Sequence, residues 1–184
     1  MNIIIWIIIA VVVIIILWLT ITYNRLIVYR NRIENSWAQI DVQLKRRFDL
    51  IPNLVKTVKA YVKHERETFE SITQARTLMT KATSVKEKAK AENMLTGALK
   101  TIFAVAEAYP NLRANENFKM LQEELSGTES KIAYARQFYN DGVMVLNQYV
   151  QSFPSNVLAR MFGFKEHEYF EIESEAKKRL EVDL

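Results

Sequence analysis

The sequence predicts an all-α protein in which an N-terminal transmembrane helix is followed by an antiparallel up-and-down four-helix bundle. An uncharged apolar run fills the start of the chain, and hydrophobic residues then recur at spacings of three and four. Only 4 Gly and 3 Pro occur in 184 residues, too few turn formers for a sandwich or barrel built on tight turns. With no Cys, disulfide scaffolds, Cys-ligated zinc, iron–sulfur clusters and thiol nucleophiles are excluded. The net charge of +4 is mild and does not by itself imply a nucleic-acid partner.

Residues 3–22 read IIIWIIIAVVVIIILWLTIT without a charge. At ~1.5 Å per residue such a helix crosses the ~30 Å hydrocarbon core. No basic segment precedes it, and Trp18, Leu19 and Tyr23 stand where a cleavage site needs small residues, so an anchor is expected and not a signal peptide. Lipid leaves helix as the form available to a single span, because backbone polar groups must pair within it. Trp6 at one end, with Trp18 and Tyr23 at the other, suits interfacial aromatic belts. Arg25 opens a basic flank continued by Arg30 and Arg32, which by the positive-inside rule places the N-terminus outside and residues 25–184 in the cytoplasm.

Beyond the anchor (1–24), the bundle is expected over 25–153. Ile33, Trp37, Ile40 and Leu44 mark a first helix that stops before Pro52, with Asp49 as a possible N-cap for the next. Leu54, Val58, Val62, Phe69 and Ile72 mark the second, fading near Thr80. Ser84 with Glu87 has the spacing of a capping box and opens the third, carried by Leu95, Leu99, Ile102 and Ala106 to Tyr109-Pro110. Phe118, Leu121, Leu125, Ile132, Tyr139, Leu146 and Tyr149 mark the fourth, closed by Phe153-Pro154. Short connections make neighbours antiparallel.

Residues 154–184 divide into an amphipathic segment and a charged tail. In the first, Leu158, Arg160, Met161, Phe162 and Phe164 form a candidate membrane-surface element, with docking onto the bundle end as the alternative. The remainder reads as an exposed helix or a loose terminus. Phe138, Met144, Val145 and Val150 supply more apolar surface than one core stripe uses, which marks a candidate interface for a second copy, with the bilayer as the alternative cover.

No catalytic constellation stands out. Isolated glycines exclude GxGxxG and P-loops. His167 and Glu171 would share a helical face as metal ligands do, but a third ligand is missing, and His64-Glu65 lacks the second His of a zincin. The Glu-x-x-His pairs of a di-iron bundle are absent too. No metal, cofactor or catalytic residue is therefore expected. The run Lys45-Arg46-Arg47 reads as a helix C-terminus complementing the macrodipole, and Asp41, Asp49, Glu107 and Glu116 as ion-pair partners of Arg47, Arg113 or Arg136.

Several strings resemble the bacterial LemA family: QLKRRFDLIPNLV (43–55), VAEAYPNLRANENF (105–118), AYARQFYND (133–141) and QSFPSNVLARMFGF (151–164). Ala60 stands where that family commonly has Gly. The resemblance implies a single-pass protein of the bacterial inner membrane with a cytoplasmic helical domain, and it implies no catalytic activity. Relatives associated with magnetosome membranes make membrane organisation the implied class of role. The expected function is a non-enzymatic, membrane-anchored scaffold that self-associates, with the bilayer and further copies of the chain as partners. An accessory or signalling subunit gripping a membrane peptidase or sensor is the alternative.

A cysteine introduced between Lys165 and Glu171 tests the orientation, since the chain has no other thiol. It should resist impermeant thiol reagents in intact cells and react after lysis; labelling of intact cells would reverse the topology.

Overall fold

The computed structural model describes residues 2–62 and 65–171. Its helices are α1 (Asn2–Lys59), α2 (Arg66–Lys81), α3 (Val85–Glu107), α4 (Pro110–Ala114), α5 (Glu116–Gln151) and α6 (Ser155–Met161). No strand occurs among the described residues, so the all-α class with a long apolar N-terminal helix stands as predicted. His64 and the end of the tail lie outside the described residues. The described residues form two compact units: 2–37 with Gln137–Glu168, and Ala38–Arg136 with 169–171.

The expected helix break at Pro52 does not occur. α1 runs through Pro52 to Lys59. A mid-helix proline loses one hydrogen bond and crowds the preceding turn, at about 3 kcal/mol. Ile51, Leu54 and Val58 are buried around it, and each such side chain contributes about 1.5–3 kcal/mol, so burial outweighs the defect. Pro52 itself faces solvent, where its missing N–H and its ring disturb no packing. Asp49 is consequently a mid-helix residue and caps nothing. The chain leaves the helix at Ala60, the position where the LemA resemblance leads one to look for Gly; a glycine just past a helix end is the commonest way to stop one.

The unit from Ala38 to Arg136 is built by the end of α1, by α2 and α3, and by the start of α5. Its core joins Ile51, Leu54 and Val58 to Ile72 and Ala75, to Leu95, Leu99 and Ile102, and to Phe118, Leu121 and Leu125. The capping box at α3 forms as expected, with the Ser84 side chain accepting from the Glu87 N–H and the Glu87 carboxylate accepting from the Ser84 N–H. The Thr83 N–H, and after it the Ser84 N–H, favour the ionised carboxylate and hold Glu87 below the usual carboxylate range.

Arg47 lies in that core, 1% exposed. Its Nη1 donates to the Glu92 carboxylate and, at 3.0 Å, to Thr96 Oγ1, while Nη2 lies 3.6 Å from Glu129 Oε2. Burial, the larger influence, pushes the Glu92 carboxyl up, and the Arg47 guanidinium opposes it. Two expectations are corrected here. The run 45–47 is not a helix end, because α1 continues for three further turns. Arg47 pairs with Glu92 and Glu129 and not with Asp41, Asp49, Glu107 or Glu116; Asp41 instead receives Lys88.

In the other unit, α1 up to Trp37 packs along α5 from Gln137. Leu26 and Ile33 are buried there, with Tyr139, Val143 and Leu146 from α5. Gly142 permits the approach: a Cβ on it would meet Ile33 Cγ1 at 3.1 Å. Trp37 is half-buried and lies on Tyr139 with ring centroids 5.7 Å apart, so it flanks this core and does not fill it.

Arg47→Ala should cost about 3–5 kcal/mol in denaturant titrations, because Glu92 would stay buried without its cation. Replacing the pair together, Arg47→Met with Glu92→Leu, should recover most of that loss. If the double variant is no more stable than the single one, the charged pair is not the source.

Candidate membrane-surface site

The first unit carries the apolar span, and the residues that follow the span gather the aromatic and basic side chains of its exit end. Tyr23, one residue past Thr22, meets Phe162 with ring centroids 4.7 Å apart and Phe164 at 6.3 Å. Arg25 donates from Nη1 to the Tyr149 hydroxyl at 2.9 Å, and Tyr149 stacks on Tyr29. The Arg30 guanidinium lies over the Phe164 ring, 5.7 Å from its centroid, and Arg32 lies over Tyr29. Trp6 lies near the far end of the apolar run and Trp18 near this one, both exposed.

α6 follows α5 through Phe153-Pro154, and the Ser155 hydroxyl ties the turn to α5 by donating to the carbonyls of Tyr149 and Ser152. Leu158 and Ala159 are buried on its inner face. Leu158 therefore does not belong to a membrane-facing surface, because the helix spends that side on its own unit. The outer face is apolar as well: Val157 is 60% and Met161 69% exposed, four residues apart and so on one side of the helix. Phe162 is half covered by Tyr23, Phe164 is half-buried, and Arg160 is exposed. Docking and an exposed apolar face, set as alternatives on the sequence, occur together on opposite sides of one short helix.

The candidate interface residues separate. At 100° per residue Phe138 and Val145 fall on one side of α5, with Met144 and Val150 each about a third of a turn away in opposite directions. Phe138 and Met144 are exposed, Val145 and Val150 half-buried.

Residues 164–171 are not helical, so His167 and Glu171 share no helical face. The sequence reading missed what holds this stretch. Asn147, 7% exposed, accepts from the His167 N–H at 2.9 Å through Oδ1 and donates through Nδ2 to the His167 carbonyl at 3.0 Å. The Tyr139 hydroxyl donates to the Glu168 carbonyl at 2.9 Å, and burial pushes that phenol above its ordinary value, which keeps it a donor. In the second unit Phe170 is fully buried with Arg136 over its ring. Phe164, Tyr169 and Phe170 inside a charged run were the available signal.

The LemA family model matches residues 36–184. The chain belongs to the LemA family. It is 25% identical over 175 residues to Magnetosome protein MamQ 2 of Paramagnetospirillum magneticum, covering 81% of this chain and 64% of that protein. It is 28% identical over 142 residues to Protein LemA of Metamycoplasma hominis, covering 74% of this chain and 63% of that protein. This LemA-family chain thus spans just under two thirds of the length of these curated relatives. Family, relatives and the apolar helix together suggest a membrane-associated helical protein.

Asn147→Ala should release the stretch around His167. Losing both main-chain bonds costs about 1–3 kcal/mol locally, so amide exchange at His167 should accelerate roughly tenfold to a hundredfold. Unchanged protection would mean that Asn147 does not hold this segment.

Proposed function

We propose that this LemA-family chain is a non-enzymatic scaffold, anchored in the bacterial inner membrane with its helical domain in the cytoplasm, that self-associates and organises or remodels that membrane. One observation carries the self-association: on α5, Phe138 is 65% exposed, with the half-buried Val145 on the same side two turns on. A helix packed by one stripe needs neither residue on its outer side, and a second copy offers the same surface in return. Nothing in this reading needs a bound metal or cofactor, and the polar groups singled out above are engaged in structural pairing.

Location and membrane organisation rest on other support. The most apolar 18-residue stretch of α1 has a mean hydropathy of 3.3 and none of its residues is buried, as suits a lipid-facing helix. Several relatives carry the name of a magnetosome protein. Arg25, Arg30 and Arg32 beyond the span favour the cytoplasmic side for the domain.

Mass photometry of the full-length chain in native-lipid nanodiscs tests the self-association. Assemblies of several copies are expected, and Phe138→Glu with Val145→Glu should weaken them by about tenfold or more, since an unpaired charge would enter the contact. A monomer at every concentration would sink the proposal. A fixed complex with one different protein would favour an accessory subunit.

A further inference from the structure

We propose that α6 is an interfacial foot which seats its outer face among the headgroups beside the span and gathers anionic phospholipids around Arg25 and Arg160. The inference rests on the reading of residues 3–22 as a membrane span and adds a second, laterally placed contact with the same leaflet.

Three features of the first unit carry it. The first is level. Tyr23 directly follows the span, and its ring packs on Phe162 at the end of α6, so that end of the helix lies at the depth where the span leaves the hydrocarbon. The second is polarity. Val157 and Met161 form an outward apolar face although α6 already buries Leu158 and Ala159 inward, and Phe153 is 83% exposed in the turn before it. In water such a face has no favourable environment, whereas a headgroup and acyl boundary covers apolar side chains to a depth of about 5–10 Å.

The third feature is charge. Residues 1–33 and 142–165, which make up the end of this unit around the span exit, contain no Asp or Glu. Their cations are Arg25, Arg30, Arg32, Arg160 and Lys165. Arg25 binds a tyrosine hydroxyl, while Arg30 lies over a phenylalanine ring and is 3.8 Å from Glu34, an exposed pair on the side away from the span. Aromatic and hydroxyl partners orient a guanidinium without cancelling its charge. Along α1, Arg25 stands ~5 Å past Thr22, Arg30 ~12 Å and Arg32 ~15 Å. With a Debye length of about 8 Å, Arg25 is in full reach of the lipid phosphates and Arg32 is largely screened. Arg160 is exposed within α6 itself, and Lys165 follows it. This arrangement fits an anionic phospholipid surface.

Single cysteines placed in the otherwise cysteine-free chain test it, with an environment-sensitive fluorophore and nitroxide lipids in bilayers of phosphatidylcholine with phosphatidylglycerol. A probe at Ile14→Cys reports the span, probes at Met161→Cys and Val157→Cys report the foot, and one at Asn35→Cys, ~20 Å past Thr22, serves as the aqueous reference. The expected result is deep quenching at 14, shallow quenching at 157 and 161, and none at 35. Spin-labelled phosphatidylglycerol should quench the 161 probe more than spin-labelled phosphatidylcholine, and Arg25→Gln or Arg160→Gln should each reduce that preference by roughly fivefold. Quenching at 14 without quenching at 157 and 161 would overturn the foot and leave the span standing. No quenching at 14 would remove the span and the foot together. Quenching at 161 with equal response to both lipids would overturn the anionic preference.

Discussion

From Ile40 through Leu44, Arg47, Ile51 and Leu54 to Val58, α1 holds one buried stripe in phase, and the phase survives Pro52. The steps alternate fours and threes, the repeat that keeps one side of a helix turned the same way. Much else in the molecule depends on that continuity. It moves the first turn of the bundle from Pro52 to Ala60, shortens α2 to 16 residues, and assigns Leu54 and Val58 to α1. It also draws a guanidinium inward: a residue four before Ile51 and three after Leu44 cannot face solvent while both of those are buried.

The buried Arg47 then sets requirements on the helices around it. A guanidinium taken out of water needs an anion and hydrogen-bond acceptors, or its desolvation would cost several kcal/mol. Glu92 and Thr96, one turn apart on α3, meet that need on one side, and Glu129 of α5 stands at 3.6 Å on the other. Apolar contacts alone tolerate small slips between helices. A charged pair with two helical partners tolerates fewer, so this group aligns α1, α3 and α5 within their unit.

Apolar spacing carried most of the fold in the sequence, and it carried membership of the core better than it carried helix ends. Ile40, Leu95, Leu125 and Leu146 are buried as the stripes demand, and the Ser84–Glu87 capping box closes as its spacing requires. Pro52 misled because local backbone chemistry was weighed without the burial of Ile51 and Leu54 on either side of it. The partners of Arg47 were illegible for a different reason: sequence shows which groups need partners, whereas tertiary packing decides who arrives. At the candidate site, the composition of 155–164 gave an amphipathic helix but not its inner and outer faces. Leu158 and Met161, three residues apart, were indistinguishable until Tyr23 and α5 were in place.

The amide of Asn147 engages the main chain of His167 on both its N–H and its carbonyl, and Tyr139 takes the carbonyl of Glu168. Such a grip is blind to the side chains it holds. Glu166 and Glu168, both exposed, are therefore free to drift in identity and charge without loosening the segment. Proline at 167 is the substitution that the clamp itself forbids, because it lacks the N–H that Asn147 accepts. The surface along this stretch is thus a position where related chains can change what they present to their surroundings while the backbone beneath stays in place.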